Sequence, residues 1–168
     1  FLKTVLADTG YFCLFAANAV TDKRIQKFYA STESLLTDAD DLNGKGFDVY
    51  FALATFEEEG SRKATNVKYL RSFFLDLDCG PSKDYAINAL QGFCESLSLP
   101  VPITIDSGRG VHVYWALSEN IHPDDWEVAA EKLKKLCVLH GFFADPAVTA
   151  DTARVLRVPD THNYKTDP

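Results

Sequence analysis

Along parts of this chain apolar and polar residues alternate with a period of two; elsewhere they recur with the period of a helix. Residues 71–77, Arg-Ser-Phe-Phe-Leu-Asp-Leu, read as a strand. Pro81 and Ser82 then open an amphipathic helix with Ala86, Leu90, Phe93 and Leu97 on one face. A short strand at 101–105, a glycine turn at 106–110 and a strand at 111–117 form a hairpin. The next helix has Pro123 in its first turn, Asp124 and Asp125 at its positive end, Lys134 and Lys135 late, and Gly141 as its stop. Residues 154–158 read as a final strand. Upstream lie a strand near 11–16, a helix over 31–42 ended by Asn43 and Gly44, and a strand at 48–54.

From residue 57 onward the order is strand, helix, strand, strand, helix, strand, which predicts an α/β (α+β) fold of ferredoxin-like or RNA-recognition-like βαββαβ type. Residues 1–56 are expected to form a small α/β half packed against residues 57–168, the whole making a single domain. With 168 residues, 46% of them hydrophobic, the chain can bury a substantial core. The Phe1 start, the lack of methionine and the loop-like Thr166-Asp167-Pro168 end suggest a piece of a longer protein.

Strand parity makes the pattern chemically informative. Within 72–80, SFFLDLDCG, Phe73, Leu75 and Leu77 share one face and Asp76 and Asp78 the other. In 111–117, Val111, Val113 and Trp115 form the apolar face, opposite His112 and Tyr114. If both apolar faces meet the helices, Asp76, Asp78 and His112 look out of the same sheet face. Two carboxylates that close repel one another, a cost tolerated where a cation or water reaches both. Paired acids on a strand end suit hard divalent ions such as Mg²⁺ or Mn²⁺, although two acids capping a strand are also common.

The turn Ser107-Gly108-Arg109-Gly110, followed by His112, combines close backbone approach with three donor side chains and reads as a phosphate cradle. Read singly, it is an ordinary glycine turn with an exposed arginine. Near the end, AVTADTARVLRVPDTHNYK carries Arg154, Arg157, His162, Asn163 and Lys165 as donors.

Charge changes the picture in one respect. The formal net charge of −7 argues against a general nucleic-acid coat, but Arg62, Lys63, Lys68 and Arg71 fall in an acid-free stretch, 61–75, that could form a basic strip. Cys13, Cys79, Cys94 and Cys137 are widely spaced and read as reduced thiols, so a cytoplasmic, intracellular setting is expected. No apolar run is long enough to span a membrane.

In this order, LDLD at 75–78, SGRGVH at 107–112, FFAD at 142–145 and the tail RVLRVPDTHNYK resemble the archaeo-eukaryotic primase superfamily, particularly the primase-polymerase domains of phages, plasmids and related mobile elements. The resemblance runs from about residue 47 to 165. It implies a template-dependent nucleotidyltransferase, a DNA primase and polymerase, using two divalent metal ions, Mg²⁺ or Mn²⁺. Asp76, Asp78 and Asp145 would be the metal-binding acids and, with His112, the catalytic set. Ser107, Gly108, Arg109, Gly110 and His112 would hold the nucleoside triphosphate, deoxy or ribo, with Arg154, Arg157 and Lys165 as further phosphate contacts. The implied partners are a single-stranded DNA template and primer, and a helicase domain elsewhere in the full polypeptide.

Two departures stand out. Asp160 occupies a position where the family has glycine, and Asp151 competes with Asp145 as the third acid. The other readings are a non-catalytic RNA-recognition-like nucleic-acid-binding or replication-initiator module, which should carry aromatics on its sheet face, and a glycosyltransferase using Asp-x-Asp to hold a metal and a diphosphate.

Overall fold

The computed structural model describes residues 1–78 and 82–164. Two four-stranded antiparallel sheets form its frame. A short helix α1 (Leu2–Val5) precedes β1 (Phe12–Asn18), β2 (Lys23–Tyr29), α2 (Thr32–Gly44), β3 (Asp48–Ala52) and β4 (Ala54–Phe56). The long strand β5 (Val67–Asp78) leads to α3 (Lys83–Leu97), then β6 (Ile103–Asp106), β7 (Gly110–Ile121), α4 (Pro123–Leu139), the short α5 (Pro146–Thr149) and β8 (Val155–Arg157).

The predicted order of elements from 67 onward is present, and the helix ends follow the expected chemistry. Ser82 caps α3 by accepting the Tyr85 N–H at 3.1 Å, and Pro123 takes the first position of α4. After α4 the chain turns at Gly141, whose φ of +62° lies in the left-handed region.

The strands are exchanged between the two halves of the chain. The sheet that carries the acids runs β4-β5-β7-β6, and the other runs β2-β1-β3-β8. In a simple βαββαβ sheet the last strand would lie beside β5; here β4 takes that place, and β8 crosses to pair with β3. The cause is local. β8 is only three residues long, and its register puts Arg157 opposite Tyr50 with its guanidinium on Asp48 at 2.8 Å. The edge strand β2 had no counterpart in the sequence reading, because KRIQKFY shows neither a clean alternation nor an apolar run.

Two hydrophobic clusters result. Leu75, Leu77, Val111, Val113 and Trp115 pack under α3 and α4 against Leu90, Phe93 and Cys137. On the other side of the same strands, Phe74 and Tyr114 join the larger cluster made with β1, β3 and α2. Asp76 and His112 share this second face, at the end where the apolar filling stops.

Candidate functional site

Asp76 and His112 are directly opposed in the β5–β7 ladder, as are Asp78 and Gly110. His112 Nε2 lies 3.8 Å from an Asp76 carboxylate oxygen, and the Tyr114 hydroxyl lies 3.4 Å from Nδ1. The expected common face for Asp76, Asp78 and His112 is therefore present, with Phe74 and Tyr114 buried behind it. Asp76, Asp78 and His112 line a cleft of about 500 Å³ together with Tyr50, Arg62, Ser107, Arg109, Asp151, Arg154, Arg157 and Asn163.

The electrostatics of this end of the sheet are strained. Burial pushes the Asp76 carboxyl up to about 6, and the neighbouring Asp78 and Asp145 carboxylates add to the rise, while Arg154 opposes it. Burial, with the Arg157 guanidinium nearby, holds His112 down at about 4. At neutral pH the ring is uncharged and acts as a dipolar hydrogen-bonding group. Burial likewise raises the Tyr114 hydroxyl well above its usual value, so it stays protonated.

Asp145 is tied to the strand by its main chain: its N–H donates to the Asp76 carbonyl at 2.9 Å, and Ala144 bridges Leu77. Its carboxylate caps α5, accepting the Ala147 N–H at 2.8 Å. Asp151 lines the cleft and accepts the Ala153 N–H at 2.9 Å. Arg154 stands between the two competing acids, 3.8 Å from each. Among the described residues no three His, Cys, Asp or Glu side chains are gathered as a ready metal-ligand set.

The turn between β6 and β7 spends most of its amides on itself. Gly108 N–H donates to Asp106 at 2.7 Å, Gly110 N–H to the Ser107 hydroxyl at 3.0 Å, and Ser107 N–H to the Gly110 carbonyl at 3.0 Å. The backbone of those three residues is thus not the anion cradle that the glycine pattern suggests. The Ser107 and Arg109 side chains line the cleft at this turn, Arg109 being exposed. The glycines are needed for shape: Gly108 has φ +93°, and a Cβ on Gly110 would sit 2.3 Å from the Leu77 carbonyl oxygen. Lys83, at the start of α3, grips both oxygens of Asp106 at 2.7 and 2.6 Å and steadies the turn.

The tail forms the opposite wall. Arg157 is 7% exposed and its partner Asp48 1% exposed. Besides the ion pair, Arg157 donates to Asn163 Oδ1 at 2.8 Å and to the Tyr50 hydroxyl at 3.3 Å. Asn163 Nδ2 in turn donates to the Ser107 carbonyl at 3.0 Å, fastening tail to turn. Asn43 pairs with the His162 main chain in both directions, at 2.8 and 3.0 Å, and Asp48 accepts the Tyr164 N–H at 3.0 Å. Arg157, expected as a phosphate contact, is thus heavily committed to protein groups at the floor of the cleft. Lys165, the other expected tail contact, lies outside the described residues.

Sequence reasoning missed Asn43, Asp48, Tyr50 and Arg62 as members of this site. One signal was available: an arginine between Leu156 and Val158 in a buried strand requires an acidic partner on a neighbouring strand, and Asp48 opens β3. Of the anticipated basic strip, Arg62 reaches the cleft, where it donates to the Ala153 carbonyl. Lys68 pairs with Glu57 and Arg71 with Asp8, so the strip is not continuous.

No family model matches this chain, and no curated protein matches it. Solved structures do. The primase-polymerase (PrimPol) AEP domain of cyanophage S-2L superposes with a TM-score of 0.66 at 19% identity, covering 94% of this chain and 77% of that one. The catalytic domain of primase RepB', solved in complex with initiator DNA, gives 0.63 at 18% identity, over 98% of this chain and 75% of that one. A second RepB' primase structure gives 0.60, with the match spanning 49% of its chain.

Proposed function

We propose that this chain, whose fold is that of the primase-type domains of mobile elements, is the catalytic core of a template-dependent nucleotidyltransferase. It would join a nucleoside triphosphate to a primer 3′-hydroxyl on single-stranded DNA. The observation that carries this reading is the opposition of Asp76 and His112 across one ladder, at the mouth of a cleft with acids on one strand and donors around the rest.

Carboxylate oxygens are the ligand type a hard divalent cation prefers, and the Asp78 and Asp145 carboxylates add to the burial that raises the Asp76 carboxyl, a repulsion that a cation would relieve by drawing the three acids together. These three acids would hold Mg²⁺ or Mn²⁺, which when bound activates the 3′-hydroxyl and steadies the leaving pyrophosphate. Asp145 is preferred to Asp151 because its main chain is bonded to that of Asp76.

The remaining residues bind and orient the nucleotide. In the tautomer whose Nδ1 accepts from the Tyr114 hydroxyl, His112 carries its hydrogen on Nε2 and would offer it to a phosphate oxygen. Ser107 and Arg109 supply donors from the turn, and Arg154 lies within reach of both acids and the cleft. Arg157 acts from the floor, held by Asp48 and adding to the burial that keeps His112 uncharged.

The test is primer synthesis and extension on single-stranded DNA with Mg²⁺ or Mn²⁺, comparing wild type with Asp76→Ala, Asp145→Asn and Asp151→Asn. Product is expected to fall at least 100-fold for Asp76→Ala, on the order of other electrostatic groups in reaction centres, with an unchanged circular dichroism spectrum. Equal product from Asp76→Ala and wild type would overturn the assignment. Loss in Asp151→Asn with activity retained in Asp145→Asn would exchange the third acid.

A further inference from the structure

On the face of the acid-bearing sheet that holds Asp76 and His112, the aromatic side chains Phe74 and Tyr114 are buried, but the other sheet keeps aromatic rings partly exposed. In register across its four strands stand Gln26, Phe15, Tyr50 and Arg157, each directly opposite the next. Directly paired residues share a face. That face is the one turned away from α2, since Lys27 and Tyr29, of the other parity, bond to Asp38 of α2 at 2.7 and 2.6 Å.

We infer that this row is the seat of a single-stranded nucleic acid entering the cleft, with successive bases stacking on Phe15 and Tyr50. Both rings are half-buried, with centroids 6.2 Å apart and planes at 41°. The row ends inside the cleft, because Tyr50 and Arg157 line it, so a strand lying along it is delivered to Asp76 and His112. Two guanidiniums lie over the rings: Arg62 is 5.8 Å from the Phe15 ring centroid, and Arg157, its charge paired with Asp48, is 5.1 Å from that of Tyr50. Beside the row, Ala17 keeps the surface low, and Arg24 stands opposite it on β2, carrying a loose contact to Asp22 at 3.7 Å. Aromatic faces flanked by arginines bind single strands with little sequence preference. A net charge of −7 thus coexists with two cations, Arg24 and Arg62, beside the row.

The identity of the strand as a template rests on the proposed polymerase function; the stacking itself does not, and it is measured separately. Binding of a fluorescent oligothymidylate of about a dozen nucleotides is followed by anisotropy without metal or nucleotide, beside an oligonucleotide of the same length with abasic positions. Wild type is expected to prefer the intact strand roughly tenfold, and Phe15→Ala and Tyr50→Ala each to lose about that factor per stacked base. On the abasic strand both variants should match wild type, a result that mere unfolding would not give. Tyr50→Phe, which keeps the ring, should bind the intact strand as wild type does. Equal wild-type affinity for intact and abasic strands, or no binding of either, would overturn the inference. Equal primer synthesis by Asp76→Ala and wild type would overturn the polymerase reading and leave the stacking surface standing.

Discussion

Folding shifts Asp76 and His112 in opposite senses, and the two shifts offset each other in the pH dependence of stability. Asp76 moves from 3.8 to about 6, so the folded state holds its proton more tightly; the stability this confers is complete below pH 3.8 and is lost as pH rises through about 6. His112 moves from 6.5 to about 4, so its contribution is present above pH 6.5 and is lost as pH falls through about 4. Metal-free Asp76→Asn is therefore expected to lose stability more steeply than wild type on acidification from pH 6.5 to 4, and His112→Gln to gain stability over the same window. Thermal melting in the presence of a chelator at several pH values checks both slopes; parallel curves for all three proteins would contradict the assignment. At the same scale, Asp160 adopts φ +62° without being glycine, so the tail keeps a left-handed turn where the resembling family has a glycine. Asp160→Gly is expected to leave stability unchanged or raise it by up to ~1 kcal/mol, and Asp160→Val to lower it by ~1–2 kcal/mol, read from urea midpoints.

At the scale of elements, the buried Asp48–Arg157 pair joins β3 to β8 beneath the floor of the cleft. Removing one partner leaves a buried charge, so Asp48→Ala is expected to destabilise the protein by ~3–5 kcal/mol in chemical denaturation, and the double change Asp48→Leu with Arg157→Met to recover most of that loss. Elements were legible in the sequence where pattern and punctuation agreed: the stretch around β5, the Ser82 cap and the Pro123 start. Parity alone placed Asp76, Asp78 and His112 on one face, because a side-chain period of two admits no intermediate answer. β2 was not legible, since an exposed edge strand has little apolar pattern to display. The partner of β8 was not legible either, because three residues fix no register by themselves and the deciding contact, Asp48 with Arg157, spans more than a hundred positions of sequence. The turn at 107–110 was legible as a site but not in its chemistry, as the fate of its amides depends on Asp106 and Ser107 side-chain geometry.

At the scale of the whole molecule, the exchange of β4 and β8 interlocks the two halves. A cut between residues 56 and 57 would leave the first sheet without β8 and the second without β4. Residues 57–168 expressed alone are expected to lack a cooperative melting transition, and the full chain to show a single one by calorimetry. Independent cooperative melting of that fragment would show that the halves fold separately. Among the described residues no helix is long and apolar enough to cross a membrane.

The main-chain bond between Asp145 and Asp76 bears on how such a fold can persist while its sequence drifts. An amide and a carbonyl belong to every residue except proline on the donor side, so exchanging either side chain leaves that tether in place. The proximity of the two positions therefore follows from the path of the chain and not from either side chain. At 19% identity or less to the structures it overlays, the chain reaches that fold with most of its side chains different.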